Sequence, residues 1–251
     1  MYDNVCKFMA EMFSQDFSQW LIGKAVTLTE LKPSELSLEP IRADSIILLQ
    51  SDELVLHIEF QTLPDENMGF RMADYRLRLY RKFPEKEVYQ VVIYLQKTNS
   101  ELVRQNTFRL RTMSHEFQVI RLWEESPEKF LKLPGLLPFA VLTRTNAPIN
   151  MLTLVAQEID KIEERRVKSN LTASTAILAG LLLDEENISR IFRSEMMKES
   201  VIYQEILAEG ERKSERKIAL NLLQLGMTLA QVAHITELSV EEVRSLQLKH
   251  D

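Results

Sequence analysis

Two apolar runs separated by four polar residues do most to limit how this chain can fold. Ser45-Ile46-Ile47-Leu48-Leu49 and Leu54-Val55-Leu56-His57-Ile58 are short and apolar, and Gln50-Ser51-Asp52-Glu53 between them is polar and turn-prone. The pair reads as an antiparallel β-hairpin. Pro64 and Asp65 then break the chain, and Met68 to Phe83 has the periodicity of a helix. Val88 to Leu95 is β-branched, aromatic and nearly all apolar, the pattern of a strand buried on both faces. Thr107 to Leu110 and Glu116 to Leu122 read as two more strands joined at Ser114-His115. Ahead of the hairpin, Val5, Phe8, Met9, Met12, Phe13, Phe17, Trp20 and Leu21 recur at three- and four-residue steps, which predicts one amphipathic helix. The order helix, strand, strand, helix, strand describes a small α/β sandwich.

After Pro138 the texture changes. Met151 to Leu207 is helical in pattern, and Ala208 to Lys217 is a charged connector, read as a solvated helix or hinge. Ile218 to Leu248 regains helical periodicity. Within it, Met227 to Gln247 has the outline of a helix-turn-helix, with Thr228 as one cap and Ser239 with Glu242 as a capping box. Glu237 stands at the turn, where glycine is usual, and Glu241 and Glu242 open the would-be recognition helix, where phosphates would be repelled. Packing or self-association is therefore the expected use of this tail, and a homo-oligomer its expected product. The boundaries drawn on these patterns are 1–145, 146–210 and 211–251.

The longest apolar stretches, such as Ala176 to Leu183, fall far short of the roughly 20 residues a membrane helix needs. Nothing near Asp3 and Glu11 resembles an export signal, and the single cysteine, Cys6, has no internal disulfide partner. Cys6 falls on the apolar face of the first helix and reads as a small buried hydrophobe. These features predict a cytoplasmic protein with no membrane partner. The formal net charge is −6, but Asn67 to Trp123 holds eleven Lys and Arg against five Asp and Glu. A net +6 segment thus follows directly after the hairpin.

Asp44 opens the first strand of that hairpin and Glu59 closes the second, in the pattern Asp-x14-Glu-x-Gln. Antiparallel pairing can bring the two carboxylates together at one sheet edge, where they can bind a divalent cation and aim a water at a phosphodiester. Gln61 shares the face of Glu59 by strand alternation, and the Phe60 carbonyl offers a neutral ligand. His57, on that same face, is read either as a partner of Glu59 or as a satisfied strand residue. Asp3 and Glu39 are weaker candidate acids; a helix N-terminus favours an acid such as Asp3 whatever the chemistry. On the following helix Arg71, Tyr75, Arg78 and Lys82 share one face, able to grip phosphates and stack on a splayed base, or else to form a solvated charged face. The six glycines form no phosphate-cradling loop.

Arg42-Ala43-Asp44, then Ile58-Glu59-Phe60-Gln61, then Arg71-Met72-Ala73-Asp74-Tyr75, resemble the PD-(D/E)XK nuclease superfamily. More narrowly they are similar to its recombination-promoting nuclease (Rpn) and YhgA-like transposase group, over roughly residues 1 to 145. The resemblance implies a restriction-endonuclease-like α/β core, a mixed small sheet flanked by helices, followed by an all-helical C-terminal region. It implies a Mg2+- or Mn2+-dependent DNA endonuclease, with Asp44, Glu59 and Gln61 catalytic and Asp44, Glu59 and Phe60 holding the metal. A role in DNA recombination or mobile-element activity comes with it, and DNA is the implied partner of Arg71, Tyr75, Arg78 and Lys82. Ala43 replaces a frequent proline, with little chemical consequence. Gln61 stands where most superfamily members have lysine, a dipole in place of a cation. That departure leaves open a catalytically weak or inactive nuclease-fold protein acting as a DNA-binding or assembly module.

Overall fold

The computed structural model describes residues 2–31, 46–192 and 194–247. The chain divides into two compact units, Met1–Ile202 and Tyr203–Asp251.

The first unit is built on a five-stranded mixed sheet. Its strands are β1 (Thr29–Glu30), β2 (Ile46–Gln50), β3 (Leu54–Gln61), β4 (Glu87–Tyr94) and β7 (Gln118–Arg121), in the order β1-β2-β3-β4-β7. The first three are antiparallel neighbours, and Ile46 stands opposite Glu59 in the β2–β3 register. β3, β4 and β7 run parallel. A parallel step needs a crossover, and α3 (Met68–Lys82) supplies it between β3 and β4. This is the expected α/β architecture: a mixed sheet with helices against it, and an all-helical C-terminal part.

Strand alternation sorts β3 into two faces. Val55 faces α3, in a cluster with Leu31, Leu48, Tyr75 and Leu79, while Met68, Met72, Val92, Tyr94, Val103 and Phe117 extend that core. Phe60 belongs to the opposite face, where its ring stacks on Phe139 at 5.5 Å and meets Phe17 edge-on at 6.3 Å. With both faces covered, β3 is buried from Leu54 to Phe60, as an apolar central strand should be.

Two sequence expectations need correction. The N-terminal helix is two helices, α1 (Tyr2–Met12) and α2 (Ser14–Ile22), because Phe13 leaves helical conformation at φ −120°, ψ 43°. Tertiary contact accounts for the break. Phe13 lies over Gly135, whose amide donates to Asp16 Oδ2 at 2.7 Å. A methyl added at Gly135 would collide with Phe13 Cβ and fall within 2.9 Å of Asp16 Oδ2. Gly135→Ala is therefore expected to cost about 1–3 kcal/mol through overpacking, read as a lowered urea midpoint; an unchanged midpoint would show that α2 can shift freely.

The second correction concerns residues 107–121. They form three strands, β5 (Thr107–Leu110), β6 (Met113–Glu116) and β7, with the turn at Arg111-Thr112. Ser114 and His115 lie within β6, which among the described residues pairs only with β5, in a separate two-stranded sheet. Met-Ser-His-Glu alternates between intermediate and exposed positions, so it carries little of the apolar signal that marks a strand.

Helices α4 (Pro127–Lys132), α5 (Leu137–Ala140), α6 (Pro148–Asp160), α7 (Arg165–Ala179), α8 (Glu185–Ile191) and α9 (Ser194–Lys198) complete the first unit. α7 is buried from Ser169 to Ala176, and its Thr172 and Thr175 hydroxyls donate to the carbonyls of Lys168 and Leu171. Internal back-bonding of this kind lets hydroxyl residues sit inside a helical core.

The second unit follows from α10 (Val201–Gln224), a continuous helix that includes the charged connector. α11 (Leu229–Thr236) carries the expected cap, with Thr228 and Gln231 forming a capping box, and α12 (Val240–Gln247) opens on the Ser239–Glu242 pair. Glu237 takes the left-handed conformation at φ 58°. Ala219, Val232, Ala233 and Val243 form a small buried core, while Leu225 and Ile235 stay 79% and 53% exposed. Among the described residues no helix is long and apolar enough to cross a membrane.

Candidate active site

The alternation that buries Val55 also places His57, Glu59 and Gln61 on the α3 side of β3. Glu59 has no exposed surface. A carboxylate in that position needs compensating charge, and α3 provides it: Arg71 Nη2 lies 2.7 Å from Glu59 Oε2. Arg71 Nη1 reaches Asp65 Oδ2 at 3.0 Å. Asp65 in turn accepts from the Asn67 amide at 2.8 Å, just ahead of α3. One arginine thus joins the end of β3, the loop after it and the helix that follows. Burial works against the Arg71 cation, yet the Glu59 charge and Asp65 hydrogen bond outweigh it and raise its pKa above the usual range.

His57 is also fully buried, with Nε2 at 3.5 Å from Glu59 Oε1. The Gln90 amide on β4 is 2.8 Å from His57 Nδ1 and 2.9 Å from the Met72 carbonyl. Tyr75 closes over the imidazole, rings edge to face at 5.1 Å. Burial, and after it the Glu59 charge, pushes the Tyr75 phenol up to about 12. The folded protein therefore keeps that proton where the unfolded chain, titrating near 10, gives it up. Stability from this source is whole below pH 10 and is lost as pH rises to about 12, by up to about 3 kcal/mol at ~1.4 kcal/mol per unit. Tyr94 shifts in the same direction, chiefly through burial, so comparing alkaline unfolding of wild type and Tyr75→Phe isolates Tyr75. Parallel curves would refute the assignment.

The structure brings some of the sequence candidates together and separates others. Gln61 Nε2 lies 3.5 Å from Glu59 Oε2, on the expected face. The Phe60 side chain belongs to the opposite core, so any contribution from that residue is its carbonyl. Asp44 and Glu39 lie outside the described residues, as does the Arg42-Ala43 pair. Asp3 sits in the first turn of α1, where its charge adds to burial in raising the Cys6 pKa, and Cys6 is buried as expected.

The basic helix is more constrained than its sequence suggests. Arg71 faces Glu59, Arg78 Nε pairs with Asp74 Oδ2 at 2.9 Å, and Lys82 lies 5.3 Å from the Phe83 ring centre. Tyr75, only 5% exposed, is turned into the core and offers no face to a base. Further along, Arg104 and Arg121 both approach Glu124. The excess positive charge of this segment is thus interleaved with acids at several points.

Comparison with family models, curated proteins and solved structures finds no match for this chain.

Among the described residues no cluster of three or more His, Cys, Asp and Glu is placed to hold a metal ion. The donors near Glu59 are nevertheless of the right chemistry for a hard dication, a carboxylate and an amide oxygen. Asp44, the further acid that the resemblance implies, lies outside the described residues. A cavity of about 330 Å3 lined by Leu21, Tyr89, Asn106 and Glu116 does not include Glu59, Gln61 or Arg71. Sequence reasoning passed over Asp65 as a mere chain break and did not single out Gln90. The available signal for Gln90 was one amide inside Val-Tyr-Gln-Val-Val-Ile-Tyr-Leu, a polar group that an inner strand must satisfy.

Proposed function

We propose that this chain is a metal-dependent DNA endonuclease of the PD-(D/E)XK type, similar to the recombination-promoting nucleases, working in the cytoplasm. The observation that carries the reading is Glu59, a carboxylate with no exposed surface on the central strand, balanced by Arg71 and flanked by Gln61. Burying a carboxylate is costly unless it is paired, so a fully buried Glu59 held by Arg71 is an expensive feature for a fold to keep. Mg2+ or Mn2+, when bound, would polarise the phosphodiester and make its bound water a stronger nucleophile. Asp44, Glu59 and the Phe60 carbonyl would hold the cation. Gln61 would orient the attacking water or a phosphate oxygen, and Arg71, steadied by Asp65, would hold Glu59 in place. Arg78, Lys82 and the rest of the basic segment would meet the DNA backbone. The exposed Leu225 and Ile235 support self-association through the C-terminal unit.

One observation favours a second reading. Arg71 already sits on Glu59 at 2.7 Å, as in a purely structural ion pair on a binding or assembly module. Supercoiled DNA incubated with the protein and Mg2+ or Mn2+ separates the two. The enzyme reading expects relaxed circles that chelator abolishes; intact supercoils with both cations would favour the module.

A further inference from the structure

The His57–Gln90 pair has no part in the nuclease reading, yet its chemistry is determined. A carbonyl oxygen only accepts, so the Gln90 atom 2.9 Å from the Met72 carbonyl is the amide nitrogen. That nitrogen has no acceptor lone pair, and its other hydrogen is directed at His57 Nδ1, 2.8 Å away. Nδ1 must accept, which puts the imidazole proton on Nε2. Nε2 faces Glu59 Oε1 at 3.5 Å, a distance beyond an ordinary hydrogen bond but within direct electrostatic contact. His57 Nε2 makes no hydrogen bond among the described residues, and His57 and Glu59 are both fully buried. Tyr75 holds the ring edge-on, which limits its rotation.

A packing role does not call for this arrangement. Neighbouring inward positions on these strands, Val55 and Val92, are filled by valine, and apolar side chains at 57 and 90 would bury without polar atoms to satisfy. We propose that His57 is a positioning residue for Glu59: Gln90 fixes its Nε2–H tautomer, and that N–H directs carboxylate oxygen Oε1 while Arg71 holds Oε2. The inference rests on the reading of Glu59 as a metal ligand and deepens it. Groups of this kind set the orientation of a ligating carboxylate, and their loss typically costs about 10–100-fold in affinity or activity.

Nitrogen-15 NMR of the imidazoles in the intact, full-length protein tests the tautomer without any variant. One of the four histidines should show a fixed Nε2–H form, assigned to His57 by its disappearance in His57→Gln. Gln90→Leu should leave that ring a mixture of tautomers. His57→Leu is expected to lower Mn2+ affinity, measured by calorimetry, and kcat for nicking per folded molecule, each by roughly 10–100-fold, with KM for DNA unchanged. His57→Gln, whose amide N–H can take the place of Nε2–H, should recover most of both. An Nδ1–H form at His57, equal losses in the Gln and Leu variants, or a wild-type kcat and Mn2+ affinity in His57→Leu would overturn the proposal. If wild type nicks no DNA with either cation, the nuclease reading falls by itself. Mn2+ affinity and the tautomer then still decide the role of His57.

Discussion

Glu59→Ala and Asp44→Ala are each expected to lower cation-dependent nicking by roughly a thousandfold. The figure follows from charge stabilisation of several kcal/mol by a bound cation, where ~4 kcal/mol corresponds to about three powers of ten in rate. The two variants should fail for the same reason but differ in stability. Glu59 is fully buried and ion-paired, so removing it also takes away the carboxylate 2.7 Å from Arg71. Asp44→Ala is the cleaner test of chemistry. Initial rates of supercoil loss at saturating Mg2+, with folded fraction checked by circular dichroism, read the effect directly. Asp44→Ala nicking within a few-fold of wild type would remove Asp44 from the site. Unchanged nicking by Glu59→Ala would end the enzyme reading altogether.

Arg71→Ala should produce the largest stability loss of any single change at this site. It takes the guanidinium from 2.7 Å beside Glu59 and leaves a carboxylate with no exposed surface short of its main counter-charge. Breaking a buried pair from one side costs about 3–5 kcal/mol. Arg71 is itself 28% exposed, which places the expectation at the low end, about 3 kcal/mol. Adding Glu59→Leu should recover much of this, because an apolar group of similar volume removes the stranded charge. Urea unfolding of the two variants beside wild type measures both steps. A loss under about 0.5 kcal/mol for Arg71→Ala would make the contact a solvent-screened surface pair. Arg71 would then be available to the phosphate role its sequence position suggested.

These two experiments bear on one ambiguity that the chain itself displays. Arg71, Tyr75, Arg78 and Lys82 lie on one helical face by spacing alone, and spacing cannot say whether that face meets solvent or protein. Folding decided it residue by residue. Tyr75 went inward over His57, Arg71 went to Glu59 and Asp65, and Arg78 found Asp74 four residues back on its own helix.

What the sequence determined by itself was whatever local pattern controls. The β2–β3 hairpin, α3 and β4 were legible because their apolar residues recur with the period of the element they form, over eight residues or more in β3, β4 and α3. The common face of His57, Glu59 and Gln61 was legible too, since strand alternation admits no other arrangement. The caps at Thr228 and Ser239 followed from residue type and spacing. Tertiary structure alone decided the rest. The helix break at Phe13 depends on Gly135, more than a hundred residues away. The placement of β7 beside β4, apart from the β5–β6 pair, depends on which sheet edge was open to it. The Gln90–His57–Glu59 contact joins neighbouring strands through a parallel register that no local signal specifies. Such pairings are set by which distant surfaces bury most apolar area together, a quantity belonging to the whole fold and to no short stretch of the chain.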